Sequence, residues 1–243
     1  MVNRIGERIL DALFPQHCAL CGLRSHTSVP LCRACEQEMP INHSCCTRCA
    51  IPLPPAGALS GARVCGNCLQ APPAFDRVIA PWLYEEYFAH LIHRWKFQRE
   101  QRLTPLLASL WQQHAQLHAP IDALVPVPLH WRRQWQRGFN QAELLCRELH
   151  AICPELSSSN VAHRLIRRQR ATAAQSAMTA RQRASNLRNA FTVCKPCDNL
   201  RIAIVDDVLT TGATASAMAS ALKAAGAGYI EVWCLARTPA PGS

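Results

Sequence analysis

The sequence predicts an α/β protein, a parallel sheet with helices on both faces, preceded by a small N-terminal cysteine-rich domain that folds around metal. Three observations carry this expectation. Nine of the 14 cysteines fall between residues 18 and 68. From residue 77 onward, apolar runs of strand length alternate with stretches of helical period, as a parallel sheet with crossover helices requires. One of those runs, Ile204-Val205-Asp206-Asp207-Val208-Leu209, passes through two adjacent acids into a threonine-rich turn and then a helix.

At 243 residues and 49% hydrophobic content, the chain can bury one large core with a smaller unit attached. It opens without the apolar run of a signal peptide and contains no stretch of the roughly 18 apolar residues a membrane span needs, so a cytoplasmic protein is expected. In that reducing setting, clustered cysteines indicate metal rather than disulfides. The formal charge is +10, and two all-cysteine zinc sites would lower it by about 4. Of the 26 basic residues, 23 are Arg and three are Lys (Lys96, Lys195 and Lys223). Guanidinium groups suit bidentate phosphate contact, so the balance points to a polyanionic partner, against the plainer reading of a coding bias toward Arg.

Along the chain, residues 2–14 place Ile5, Ile9, Leu10 and Leu13 at helical spacing and stop at Pro15. The Pro- and Gly-rich segment from Cys18 to Cys68 buries too little apolar surface to fold without metal, and residues 51–62 form a loop within it. A linker at 70–76 divides an N-terminal helix and double-ribbon domain (1–72) from an α/β domain (73–243). The second domain starts with a strand at 77–83 and a helix that presents Tyr84, Phe88, Leu91, Ile92 and Trp95 on one face. A helix at 102–117 follows, then strand 121–127, helix 140–152, strand 161–166 and helix 178–189. Strand 201–206, helix 213–226 and strand 229–236 complete the pattern.

Four CxxC pairs supply eight thiolates: Cys18 and Cys21, Cys32 and Cys35, Cys46 and Cys49, Cys65 and Cys68. Two tetrahedral structural Zn2+ sites need that number. Spacing leaves open whether adjacent or alternate pairs share an ion, adjacent pairing being simpler. Cys45 is a spare thiol, and Cys194-Lys195-Pro196-Cys197 reads as a hairpin turn with two ordinary cysteines.

The acid-pair segment continues as Thr210-Thr211-Gly212-Ala213-Thr214. Gly212 permits close backbone approach, while free N–H groups at a helix start and three hydroxyls attract a phosphate monoester. Asp206 and Asp207, at the strand's C-terminal end, would hold sugar hydroxyls or a hydrated Mg2+. No GK[ST] follows the glycine, which excludes a Walker-type nucleotide loop.

The segment from Val205 to Thr214 resembles the phosphoribosyl-pyrophosphate (PRPP) loop of type I phosphoribosyltransferases. That likeness implies ribose contacts from Asp206 and Asp207 and 5-phosphate contacts from residues 210–214, with Mg2+ accompanying PRPP. The run from Val125 to His130, followed by Arg132, Arg133 and Arg137-Gly138-Phe139-Asn140-Gln141, is similar to a signature of the ComF/GntX family of DNA-uptake and DNA-utilisation proteins. A third block, Arg167, Arg170, Thr172 and Gln175, then Arg181, Asn186 and Ala190-Phe191, matches the same family, although Ala173 and Met178 depart from its usual pattern. With the cysteine pairs, the resemblance covers nearly the whole chain. It places Arg132, Arg133, Arg137, Gly138, Asn140, Gln141, Arg167, Arg170, Thr172, Gln175 and Arg181 on the pyrophosphate or DNA side.

Residues 130–190 hold eleven Arg against three acids, a field suited to PRPP or to the backbone of single-stranded DNA. Trp131, Trp135 and Phe139 interleave with Arg either as stacking platforms or as core. The family resemblance implies a DNA-processing protein acting in competence or nutritional use of DNA, with helicase-like or recombination-mediator partners. The alternative is an active phosphoribosyltransferase acting on a nucleobase-like acceptor. No general base stands out, since His90, His93, His130 and His163 qualify by residue type only. A zinc-thiolate redox sensor would leave the phosphate loop without a purpose.

Overall fold

The computed structural model describes residues 16–55, 63–129, 138–156, 158–168 and 190–240. The helices expected at 2–14 and 178–189 lie outside them. In chain order the elements are α1 (Arg33–Gln37), α2 (Gly66–Gln70), β1 (Arg77–Ile79), β2 (Trp82–Leu83), α3 (Glu86–Phe97) and α4 (Thr104–His114). They continue with β3 (Ala123–Pro126), α5 (Gln141–Ile152), β4 (Asn160–Val161), β5 (Ile166–Arg168), β6 (Phe191–Val193), β7 (Arg201–Leu209), α6 (Ala213–Ala224) and β8 (Tyr229–Arg237).

The main sheet is six-stranded and parallel, in the order β1-β8-β7-β3-β4, with β2 also paired to β8. Its central strands are buried on both faces, so side chains alternate between two cores. Ala203 and Val205 of β7, with Trp233 and Leu235 of β8, face a core that holds Phe88 and Trp95 of α3, Leu107 and Trp111 of α4, and Leu145 and Leu149 of α5. Ile202 and Ile204, with Ile230 and Val232, face the opposite core, where α6 contributes Ala215, Met218 and Leu222. Helices therefore cover both faces, as expected.

Two expected strands divide. The run at 77–83 becomes β1 and β2 because Pro81 has no N–H to continue the ladder. Asn42 fills the gap, its N–H donating to the Pro81 carbonyl at 2.7 Å and its Nδ2 to that of Ala80 at 3.2 Å. The run at 161–166 also splits: β4 closes the main sheet, whereas β5 pairs antiparallel with β6 in a separate two-stranded ribbon. The turn at 194–197 is thus no hairpin, since it carries the chain from that ribbon into β7.

The cysteine-rich region is joined to this framework rather than strung from it. Leu31 and Met39 enter the same core as Trp82 and Phe88, and the Leu83 N–H donates to the Pro40 carbonyl at 2.8 Å. The segment expected as a linker is tied down as well. Phe75 is buried, the Ala74 N–H donates to Ser216 Oγ at 3.2 Å, and Asp76 accepts from the Ile230 N–H at 2.7 Å while pairing with Lys223 at 2.8 Å.

Candidate functional site

After β3 the chain moves outward to β4, but after β7 it moves the other way to β8. The helix following β3 lies in one core and the helix following β7 in the other. Ligands of open α/β sheets bind in the crevice beyond the carboxyl ends of such a strand pair, because the two connections diverge there. The β3 ladder ends at Pro126, opposite Val205, with one last bond from the Val127 N–H to the Val205 carbonyl at 2.9 Å. Asp206 and Asp207 follow immediately on β7 and are partly buried at this opening.

The acids are organised by the backbone and by a cation from another element. Asp206 Oδ1 accepts from the Asp207 N–H at 2.8 Å, and Asp207 Oδ1 from the Val208 N–H at 2.6 Å. Lys96, near the end of α3, pairs with Asp207 at 2.8 Å. Burial in the sheet, reinforced by the Asp207 charge, pushes Asp206 up to about 7, against the opposing pull of the Asp207 N–H, Lys96 and Arg168. One carboxyl of the pair thus exchanges its proton near neutrality.

Beyond Leu209 the chain turns through exposed Thr210 and Thr211 into Gly212, whose φ of 75° lies in the left-handed region that favours glycine. Gly212 is the N-cap of α6, a 12-residue helix with no acid in its first turn, so its free N–H groups face no competing carboxylate. Thr211 Oγ1 accepts from the Ala213 N–H at 3.3 Å, and Thr214 is partly buried in the first turn.

On the β3 side, Gly138 adopts a φ of 81° with open space where a Cβ would sit. Asn140 serves as N-cap of α5, its Oδ1 accepting from the Ala142 N–H and its Nδ2 donating to the Val127 carbonyl, both at 3.1 Å. One polar group therefore caps the helix and the other ties the loop to the end of the strand. Gln141 and Phe139 are buried, which places Phe139 in packing rather than on a stacking surface. Arg167 is exposed on β5, whereas its neighbour Arg168 lies over the Phe191 ring at 5.7 Å and contributes its charge to Asp206. Arg132, Arg133, Arg137, Arg170, Thr172, Gln175 and Arg181 lie outside the described residues, as do Trp131 and Trp135.

Sequence reasoning missed Lys96 and Arg237. Lys96 is two residues from Arg94, which forms a bidentate pair with Glu100 at 2.7 and 2.8 Å and donates to the Ala19 carbonyl in the first cysteine cluster. Arg237, the last residue of β8, reaches from the threonine turn to the second cluster. No local pattern announces either contact; the rarity of Lys in an Arg-rich chain is the one signal that singles out Lys96.

The eight expected cysteines form two groups, Cys18, Cys21, Cys32 and Cys35, and Cys46, Cys49, Cys65 and Cys68, each with its sulfurs within 4.8 Å of one another. Adjacent pairs therefore share a site. A tetrahedral ion with Zn–S bonds of about 2.3 Å sets its sulfurs about 3.8 Å apart, and the Cys21–Cys32 and Cys49–Cys65 separations are 3.8 and 3.7 Å. Burial opposes ionisation of Cys18, yet the N–H groups of Cys21, Cys32 and Leu20 outweigh it and draw the thiol down to about 6. Cys46 falls to about 7 in the same way, despite its burial, through the N–H groups of Cys65, Cys49 and Arg48. Burial pushes Cys49 up to about 11 and Cys35 and Cys68 further still. Four sulfurs that cannot all ionise alone are what a divalent ion reconciles. Among the described residues Cys45, Cys194 and Cys197 join no metal cluster, and no helix is long and apolar enough to cross a membrane.

Two four-cysteine metal sites joined to a parallel sheet, with an acid pair and a helix start at its switch point, define a metal-stabilised α/β protein. A model of the double zinc ribbon domain matches residues 9–69. DNA utilization protein YhgH of Salmonella typhimurium is 37% identical over 92% of this chain and 98% of its own length, and that of Escherichia coli is 37% identical over 86% and 90%. Competence protein F of Haemophilus influenzae is 34% identical over 72% and 79%. The chain belongs to this family of DNA utilization and competence proteins, the ComF/GntX family. A purine phosphoribosyltransferase from Pyrococcus horikoshii aligns over 58% of this chain and 75% of its own, with a TM-score of 0.33 and 18% identity, a likeness too loose to carry site residues across.

Proposed function

We propose that this protein binds a phosphoribosyl ligand such as PRPP, with Mg2+, in the crevice between β3 and β7, and acts in the cytoplasm in the uptake or utilisation of extracellular DNA by contacting single strands. The observation that carries the ligand reading is the acid pair of β7 followed by a helix start whose N-cap, Gly212, makes no side-chain cap bond and whose first turn holds no acid. In this reading Asp206 and Asp207 accept the ribose hydroxyls. Thr210, Thr211 and Thr214, with the N–H groups of Gly212 and Ala213, hold the 5-phosphate. Arg132, Arg133 and Arg137, with the open backbone at Gly138, take the diphosphate, and Lys96 yields Asp207 to the sugar or its cation. Mg2+ would offset the diphosphate charge.

The DNA reading rests on the names of the relatives and on the eleven Arg between residues 130 and 190, of which Arg147, Arg164 and Arg167 are exposed. A DNA-uptake helicase or recombination mediator is the class of partner such a role requires. Calorimetric titration of PRPP with Mg2+ into the wild type and into an Asp206→Ala/Asp207→Ala variant tests the ligand reading. Binding to the wild type that disappears in the variant is expected; no heat from either would sink it. A gel shift with single-stranded DNA, weakening steeply as salt rises, is expected for the DNA role, and its absence at low salt would count against direct contact.

The Lys96–Asp207 pair favours a second reading, an active phosphoribosyltransferase, because it sets a cation beside the acids where the sugar would react. A nitrogen nucleophile would displace diphosphate from ribose C1 through an oxocarbenium-like transition state. Pyrophosphate release with PRPP and a panel of nucleobases would establish this activity; none from a protein that binds PRPP would restrict the chain to binding.

A further inference from the structure

Two charged residues are buried among the described residues, Glu231 and Arg237. Glu231 accepts from the Tyr229 hydroxyl at 3.0 Å and the Trp233 indole N–H at 2.7 Å. Arg237 is 5% exposed, and its hydrogen-bond partners among the described residues are carbonyl oxygens. Its Nε donates to Cys49 at 3.0 Å, and one terminal nitrogen donates to Leu209 at 2.9 Å, to Thr238 at 2.7 Å and to Thr210. A buried guanidinium without a carboxylate is an expensive arrangement unless other negative charge lies close by.

Two such charges are available. A zinc ion held by four thiolates leaves the second cluster with a net charge of −2, and one of its ligands, Cys49, supplies the carbonyl that Arg237 grips. On the other side lies the turn that would receive a phosphate. A cavity of about 320 Å³ lies between the two, lined by Cys49, Cys65, Phe75, Thr211, Gly212 and Arg237 among others. In a trans peptide the C=O and N–H point in opposite directions. By drawing the carbonyls of Leu209 and Thr210 toward itself, Arg237 turns the N–H groups of Thr210 and Thr211 the other way, as donors to an anion.

We propose that Arg237 is a positioning residue that couples the second four-cysteine site to the phosphate turn, so that metal at Cys46, Cys49, Cys65 and Cys68 sets the turn's affinity for a phosphate monoester. The proposal rests on reading residues 210–214 as a phosphate site. The coupling is reciprocal: a phosphate ligand that orders the turn must also alter the metal site. Among the described residues, the first cluster is instead linked from the Ala19 carbonyl through Arg94 to Glu100.

Amide hydrogen exchange on the full zinc-loaded chain tests the clamp without any ligand. Arg237→Gln and Arg237→Lys are expected to keep both metals yet exchange at least tenfold faster at Thr238 and Ser216, whose N–H groups donate to the Leu209 and Gly212 carbonyls that frame the turn, with β3 and α5 unchanged. Lysine retains the charge but cannot span both sets of carbonyls, so a turn protected normally in Arg237→Lys would overturn the bridging role. Emptying the second site by Cys46→Ser/Cys65→Ser should loosen the turn, and emptying the first by Cys18→Ser/Cys32→Ser should not; equal effects would also overturn it.

Should these variants fail to fold, wild-type protein loaded with Co2+ decides. Ribose 5-phosphate that binds by calorimetry should shift the cobalt–thiolate absorption, and binding with an unchanged spectrum would refute the coupling. Ribose 5-phosphate that does not bind at all would overturn the phosphate site itself, and the coupling proposed to act on it would fall with it.

Discussion

The ribbon half and the sheet half are built on opposite principles. In the sheet half, β7 and β8 bury nearly every side chain between two cores, and four tryptophans (Trp82, Trp95, Trp111 and Trp233) are fully enclosed. In the ribbon half, the described residues form two five-residue helices and isolated bridges, and buried positions there include Cys18, Cys46 and Cys68. Apolar area holds the first, and metal–thiolate bonds must hold the second. The difference teaches where each half can be broken, and the two arginines that cross between them show where breaking one reaches the other.

Metal removal is the largest expected effect. Structural zinc contributes about 10–16 kcal/mol to folding in zinc-finger peptides at neutral pH. Metal analysis should return two zinc ions per chain, one for each cluster. A strong chelator should abolish protection across the ribbons and lower the melting temperature of the whole chain, because Leu31 and Met39 are part of the sheet's core. An unchanged melting curve after complete removal would break the comparison outright.

Next in size is the reverse experiment. Trp233 packs against Trp111 with ring centroids 5.0 Å apart and donates to Glu231. Truncating a large buried aromatic costs about 3–5 kcal/mol, so Trp233→Ala should lower stability to urea by that amount while zinc content stays at two per chain. Loss of metal alongside stability would mean that the halves fold as one unit.

Asp206 sharpens the comparison through pH. Its native pKa of about 7 lies above the ordinary 3.8, so the folded state binds this proton more tightly than the unfolded chain does. The stability it contributes is present at low pH and declines as pH rises through about 7. Asp206→Asn removes that decline, so the variant's advantage over wild type should grow between pH 5 and pH 8 in urea titrations. Metal release at low pH affects both proteins and cancels in the difference. A constant difference across that range would show that Asp206 ionises as an ordinary carboxyl.

The two halves were also unequally legible in the sequence. The cysteine spacing set out the eight ligands of the ribbons, because a CxxC turn is a local device. It could not say which pairs meet, because that depends on folding across more than ten residues. In the sheet half, β7, the threonine turn and α6 were readable as a buried strand, a breaker and a helix, each a local signal. Pro81 and the turn around His163 and Arg164 broke apolar runs that periodicity alone joined together. Lys96 beside Asp207, and Arg237 beneath Thr210, were invisible because the tertiary fold brings together residues more than 100 positions apart in the first case and more than 25 in the second.

The smallest effect returns to how each half begins its helices. In the ribbons, the N-cap positions of α1 and α2 are Cys32 and Cys65, and neither makes a side-chain cap bond, since their sulfurs belong to the clusters. In the sheet half α5 has an ordinary cap, Asn140, which also secures the chain to Val127. Loss of such a cap costs about 1 kcal/mol. Asn140→Ala should therefore lower urea stability by that amount with zinc content intact, whereas Cys65→Ser, at the same helical position, should release an ion. If both substitutions cost about the same and both leave the metal in place, the ribbons are held by packing, and the contrast between the halves fails at its simplest point.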